Sequence, residues 1–325
     1  MPVSTTPRSQ CAKLKLKAVD EFALIRRYFD RATSATGVTT GIGDDGAVLT
    51  PTPGSELVTV MDTLVEGVHF PAGSNPSDIG YRAVAVNLSD IAAMGATPRW
   101  MTLALSLQTA GEEWLELFSA GMFMAAAEHN VALVGGDTTH ASQIVTTVQI
   151  IGEVDQGRAI LRSGAQPGDR IYVTGTVGDA AAGLHGLIDG EPVKELANRF
   201  SRPSARVAYG QALLGIASAA IDLSDGLYGD LGKLLAASGA GAQIDIGSLP
   251  ISAALADNFT SERQHAFALG GGDDYELCFT ASGELPDPGV MQVTAIGTVT
   301  ESAGLVCTLD GRVVPFDDSG YRHFQ

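Results

Sequence analysis

Six short segments, each presenting aspartate beside small residues, constrain this chain more than any other feature. They are Gly43-Asp44-Asp45-Gly46, Met61-Asp62-Thr63, Asn87-Leu88-Ser89-Asp90, Gly135-Gly136-Asp137-Thr138, Asp222-Leu223-Ser224-Asp225-Gly226 and Gly271-Gly272-Asp273-Asp274. Carboxylates repel one another unless cations lie between them. Gathered from separate loops onto one cleft, they suit several Mg²⁺ ions, which in proteins bridge carboxylates to substrate phosphates. A fold that collects these segments is expected to build a multi-metal phosphoryl-transfer site.

Charge narrows the partners. With 20 basic against 37 acidic residues the net charge is −17, a field that repels nucleic acid and anionic membrane, so neither is expected as a partner. Phosphate substrates are then admissible only if divalent cations invert the local sign. At 325 residues the chain exceeds the usual single-domain size, which predicts two domains. Cys11, Cys278 and Cys307 form no Cys-x-x-Cys pair, and their odd number suits reduced thiols in a cytoplasmic protein. The first 17 residues have no apolar core and do not read as a signal peptide. No uncharged apolar run reaches about 18 residues, so no membrane span is expected.

Periodicity predicts helices over 20–32, 77–94, 112–128, 178–188, 203–216 and 228–238, and strands over 45–50, 57–61, 100–107, 131–134, 143–154, 170–174, 220–223, 275–280, 293–299 and 305–309. Gly95 with Pro98 close behind should stop the second helix. The turn-rich stretch 162–169 places a domain seam near residue 155, giving domains 1–155 and 156–325. Strands and helices mix without strict alternation, which favours an α+β class over a doubly wound sheet.

Each aspartate has an ordinary reading beside the functional one. Asp44 and Asp45 suit a surface turn. Asp62, at the end of the apolar run 57–61, must face a cleft or find a cation, because burying a charge unpaired is costly. Asn87 and Asp90 share one face of an apolar helix, as either an exposed stripe or a site. Asp137 follows two glycines that permit close backbone approach to a ligand, or simply form a tight loop. Asp225 is either a helix N-cap or, with Asp222 and Ser224, part of a metal or phosphate site. The chain has no P-loop, no protein-kinase signature, no i, i+4 histidine pair and no Gly-x-Ser-x-Gly elbow. Any nucleotide chemistry must therefore use another phosphate cradle.

Seven motifs in order make the chain resemble the thiamine-monophosphate kinase family, of the superfamily that includes aminoimidazole ribotide synthetase and selenophosphate synthetase. They are GIGDDGAVL (41–49), MDTLVEGVHF (61–70), AVNLSDIAAMGATP (85–98), LVGGDTT (133–139), LRSGAQPGD (161–169), IDLSDGL (221–227) and GGGDDYELCF (270–279). The resemblance implies transfer of the ATP γ-phosphoryl group to thiamine monophosphate with several Mg²⁺ ions. It implies a two-domain fold and a homodimer formed through the N-terminal domains. By matching motif, Asp45, Asp62, Asp90, Asp137, Asp222 and Asp225 are the implied metal ligands, with Asp44 an additional one and Met61 contributing a carbonyl. Gly136, Asp137, Arg162 and Ser224 are implied at ATP, and His69, Asp273 and Tyr321 at the thiamine phosphate. No dedicated general base is implied; Asp45, Asp62 and Asp137 act with the metals.

Two departures stand out. Val60 and Met61 replace the Ser or Thr often found there in relatives, and Asp273 stands where Glu is also common. Without the family, His69 reads as a loop histidine, Tyr321 as a C-terminal packing residue and Arg162 as a surface charge. The sister synthetases are the rival reading. Cys11 lies in SQCAKLK without the glycines a selenide enzyme needs, and the chain ends His323-Phe324-Gln325 without the C-terminal cysteine of a carbamoyl-dehydrating relative. An acidic Ca²⁺-binding protein would cluster its ligands in one loop, whereas these span residues 45–225.

Overall fold

A computed structural model describes residues 21–31 and 35–316; Cys11 and Tyr321 lie outside the described residues. The chain opens with α1 (Glu21–Tyr28), β1 (Val38–Thr40) and β2 (Val48–Leu49), continues through β3 (Ser55–Val65), α2 (Pro76–Ala93) and β4 (Thr97–Leu107), and then α3 (Glu112–Glu128), β5 (Ala132–His140) and β6 (Val145–Asp155). The four long strands form one sheet in the order β3-β6-β4-β5. Within it β4 and β5 run parallel, and β6 is antiparallel to both β3 and β4.

Residues 156–169 lead to a second sheet, built from β7 (Arg170–Thr174), β8 (Ala219–Asp222), β9 (Gly241–Asp245), β10 (Leu277–Ala281), β11 (Val293–Thr300), β12 (Gly304–Leu309) and β13 (Arg312–Val313) in the order β13-β12-β9-β11-β7-β10-β8. Between β7 and β8 lie α4 (Asp179–Asp189), α5 (Lys194–Ser201) and α6 (Val207–Ala212); α7 (Leu227–Ser238), α8 (Ala253–Asn258) and α9 (Ser261–Gly270) follow. The mixed composition is the α+β class the sequence predicts.

Helix α2 positions the site. Asn75 caps it by accepting from Ser77 N at 2.9 Å, Pro76 occupies its first turn, and Gly95 in the left-handed region (φ 68°) ends it. It is buried nearly all round: Val84, Ile91 and Ala92 are fully inaccessible, and so are Asn87 and Ser89. One core joins α2, α3 and β4 to Val207, Tyr209, Leu213, Leu277 and Phe279 from the second half. A separate core fills the second sheet around Ile171, Leu231 and Ile244. Thus α2 is packed between the two halves, and a helix apolar all round is what such a position requires.

Three expectations change. Asp62 does not end a strand; β3 continues to Val65, with Asp62 paired to Val148. Gly135-Gly136-Asp137 is not a turn but the middle of β5, opposite Thr102, Leu103 and Ala104 after a register shift at 101–102. A Cβ on Gly136 would lie 1.9 Å from Leu103 O, so only glycine lets the strand lie this close. The helix expected over 203–216 shrinks to α6, because Arg206 turns to Glu276 (2.6 and 2.5 Å) and Pro203 precedes an irregular entry.

Candidate active site

Three elements distant in sequence bring Asp62 (β3), Asp90 (α2) and Asp222 (β8) together. Asp62 and Asp90 share a side-chain hydrogen bond, which requires a proton on one of them. Burial pushes Asp90 up to about 8, and repulsion from Asp222 and Asp62 adds to it. Burial likewise lifts Asp222 to about 7, opposed by a hydrogen bond from Ser89 and by the charge of Arg162. The Ser89 hydroxyl also lies 3.5 Å from Tyr275 O. Its one hydrogen goes to the Asp222 carboxylate, the stronger acceptor. Met61, Asp90, Arg162 and Asp222 line one cleft of about 460 Å³.

A second acidic group lies elsewhere. Asp44, Asp45, Gly136 and Asp137 line another cleft, of about 600 Å³, with Phe22 and Arg26 of α1 on its wall. Asp62 belongs to β3 and Asp137 to β5, the opposite edges of the four-stranded sheet. At about 4.8 Å per strand the two edges are roughly 14 Å apart. The chain therefore divides the aspartates between two clefts.

The Ser224-Asp225 segment leads into α7. Asp230, almost fully buried, accepts from Ser224 N and Asp225 N, each at 2.9 Å, and so fixes the segment from inside the helix. Lys233 Nζ bonds Asp230 at 2.7 Å and also pairs with Asp225. The adjoining glycine segment fits against this turn: a Cβ on Gly272 would lie 2.4 Å from Ser224 O. Asp273 N donates to Ser224 O at 2.9 Å, which places Asp273 beside Ser224. Asp274 faces the other way, accepting from Gly178 N (2.6 Å) and Ala180 N (3.1 Å) at the start of α4. Burial still pushes it up to about 8, against those donors and Arg199. His69 closes the turn after β3, its Nδ1 accepting from Val65 N at 3.0 Å.

Sequence reasoning missed Arg82, Ser89 as a partner of Asp222, Asp230 and Lys233. For Asp230 a signal existed: an acidic residue in the first turn of α7, at the place from which side chains bond back to preceding amides. Arg82 gave none, since a cation in an apolar helix reads as an exposed position.

The donor set fits a hard divalent cation. It is all oxygen, and burial raises the carboxyls of Asp62 and Asp90 at a place where a cation would offset the cost of their charge. Among the described residues no group of three or more acidic, histidine or cysteine side chains is arranged to hold a metal ion by itself, so Asp62, Asp90 and Asp222 meet without forming a closed ligand cage. Mg²⁺ suits such a site, because it keeps several waters and binds through one or two carboxylates plus substrate phosphates.

Comparison with known proteins shows the family. Residues 43–154 match the N-terminal domain, and residues 166–310 the C-terminal domain, of AIR synthase related proteins. Thiamine-monophosphate kinase of Salmonella typhimurium is 47% identical, over 94% of this chain and 99% of its own. The chain belongs to the thiamine-monophosphate kinase family. The crystal structure of thiamine-monophosphate kinase from Stenotrophomonas maltophilia K279a is 43% identical and superposes with a TM-score of 0.83, over 90% of this chain and 98% of its own. A homologous structure complexed with AMPPCP and TMP is 33% identical with a TM-score of 0.77, over 87% of this chain and 92% of its own. The fold described above is thus shared with solved thiamine-monophosphate kinase structures.

Proposed function

We propose that this chain transfers the γ-phosphoryl group of ATP to thiamine monophosphate, giving thiamine diphosphate. The observation that carries the reading is the convergence of Asp62, Asp90 and Asp222 beside Arg162, in a chain 47% identical to a thiamine-monophosphate kinase. A 33% identical relative complexed with AMPPCP and TMP supports the substrate pair.

The acceptor is a phosphate monoester, already ionised near neutral pH, so the reaction needs no general base to create its nucleophile. The obstacle is repulsion between two polyanions. Bound Mg²⁺ supplies the neutralising charge and a template for in-line transfer. Asp62, Asp90 and Asp222 would hold it in one cleft, with Met61 contributing its carbonyl; Asp44, Asp45 and Asp137 would hold it in the other, and Asp225 at the start of α7. Arg162 brings fixed positive charge to the ATP phosphates, and Gly136 and Ser224 offer close backbone and hydroxyl contacts there. His69, Asp273 and Tyr321 bind and orient the thiamine phosphate.

The division of the aspartates supports a homodimer. Edge strand β3 spans 11 residues and leaves Leu57 52% and Met61 66% exposed. A long apolar edge requires a cover, and we assign that role to a second copy, which would bring its own acidic edge to a shared site. Domains 1–155 and 156–325 would then divide dimerisation from completion of the substrate site. Among the described residues no helix is long and apolar enough to cross a membrane, and Cys278 and Cys307 are free thiols, in keeping with a cytoplasmic setting.

The test is ATP consumption with Mg²⁺ and thiamine monophosphate, thiamine or no acceptor, with products separated by chromatography. Thiamine diphosphate should form only from the monophosphate and vanish with EDTA. Asp137→Asn should abolish most turnover; near-normal rates at ordinary Mg²⁺ would remove Asp137 from the site.

A further inference from the structure

Arg82 lies on α2 in the first half of the chain, is only 2% exposed, and makes its polar contacts with the second half. Its guanidinium donates to Asp273 Oδ1 and to Phe200 O, and it lies over the rings of Phe200 (4.2 Å) and Tyr275 (5.4 Å). Stability alone does not explain this choice. A buried ion pair replaced by packed apolar side chains is often neutral or stabilising, and here Nε has no hydrogen-bond partner among the described residues. The arginine is therefore badly satisfied as a structural element and well placed as a device that fixes Asp273.

The segment around Asp273 is strained in the manner of a binding turn. Asp273 (φ 72°) and Tyr275 (φ 52°) are both left-handed without being glycine, a backbone conformation that L residues hold only when the surrounding structure enforces it. Backbone bonds hold the pair in place: Asp273 N to Ser224 O and Tyr275 N to Leu223 O, both 2.9 Å. Tyr275 OH donates to Asp273 Oδ1 at 3.2 Å, the same oxygen that Arg82 takes. Oδ2 carries no hydrogen bond among the described residues, and the side chain is 28% exposed. Two buried donors thus grip one oxygen and leave the other for a ligand.

We propose that Arg82 is a positioning residue of the acceptor site: it reaches across the two halves of the chain and, with Tyr275, orients Asp273 so that Oδ2 meets an N–H donor or cationic ring of the acceptor. This rests on the acceptor role of Asp273 proposed above. Arg82 touches neither substrate; its effect on binding passes through one carboxylate oxygen. Asp273, one methylene shorter than glutamate, depends on the long reach of an arginine to be held at all.

The experiment measures steady-state kinetics of Arg82→Met, Arg82→Lys, Asp273→Glu and the Arg82→Lys/Asp273→Glu pair, with a urea unfolding curve for each. Losing a charge-assisted bond to Asp273 should raise the KM for thiamine monophosphate about tenfold to a hundredfold in Arg82→Met. The KM for ATP should stay within about twofold, and Arg82→Lys should recover most of the loss. Equal rises in both KM values, or unchanged KM values with a lower unfolding midpoint, overturn the inference. Should Arg82→Met fail to fold, the pair decides: the small KM rise left in Arg82→Lys, whose side chain reaches less far, should be offset by the longer Asp273→Glu carboxylate, and additive losses in the pair overturn the proposal. Wild-type protein that leaves thiamine monophosphate unphosphorylated overturns the acceptor reading itself. Active wild-type protein beside an Arg82→Met variant of normal KM overturns only the role of Arg82.

Discussion

Replacing Asp90 by asparagine should stabilise the metal-free protein while destroying its activity. Burial and the flanking carboxylates hold Asp90 at about 8, against 3.8 in an unfolded chain. Between those values the folded state binds a proton that the unfolded state has released, so stability falls as pH rises from about 4 to about 8 and then levels off. Taken alone, the displacement costs about 5 kcal/mol by pH 8. Asp62 and Asp222 share the same repulsion and Arg162 offsets part of it, so about 2 kcal/mol is assigned to Asp90 itself. Asparagine keeps the shape, removes the charge and can donate to Asp62. In EDTA at pH 8 Asp90→Asn should melt roughly 4 °C higher than wild type, and at pH 5 the gap should shrink to less than half. Saturating Mg²⁺ should raise the wild type and leave the variant nearly unmoved. The assay is differential scanning calorimetry across pH 5–8.5 with EDTA or Mg²⁺, beside the turnover assay. A variant no more stable at pH 8 than at pH 5, relative to wild type, would refute the claim that these carboxylates strain one another.

Two further outcomes follow from the packing. Gly272→Ala places a methyl 2.4 Å from Ser224 O; displacing both turns should lower kcat/KM by about a hundredfold at a stability loss of about 1–3 kcal/mol, and wild-type kinetics would show that the two turns move independently. Leu57→Asp with Met61→Asp puts like charges on the exposed edge of β3 and should convert a dimer to a monomer in sedimentation velocity; an unchanged sedimentation coefficient would place any interface elsewhere.

Long periodic elements were legible in the sequence because burial repeats regularly along them: α3 spans Glu112–Glu128 and β7 spans Arg170–Thr174, as periodicity predicts. Failures fell where the site bends local rules. Gly135-Gly136-Asp137 carries turn composition, yet neighbouring strands need glycine there for close approach, and the segment stays in the sheet. Asp62 looked terminal because a charge seldom continues an apolar strand, and it continues here because it faces Asp90. Acidic residues announced the site through their number, but their division between two clefts depends on strand order, which no local pattern encodes. Arg82 and Asp230 were invisible for the same reason: each acts through a partner that only the fold supplies.

The charged groups of the site fall into two kinds, and the difference shows what a ligand must do there. Asp62 and Asp90 are pushed up by burial and so take up a proton readily, and Asp225 is paired with Lys233, which is 45% exposed. The first gives way cheaply, since a proton leaves to solvent, and at Asp225 the lysine releases that carboxylate while keeping its bond to buried Asp230. Asp273 is balanced by fully enclosed Arg82, and the amides of Ser224 and Asp225 by buried Asp230. Those partners cannot leave without stranding a buried charge. An arriving cation therefore displaces the first kind and finds the second already arranged. On the proposed assignment, the Asp273 segment and the α7 turn would be preorganised, while Asp62 and Asp90, raised by burial, would be relieved by metal binding. Such a division would make binding of a metal favourable at the positions where charge must be neutralised during transfer.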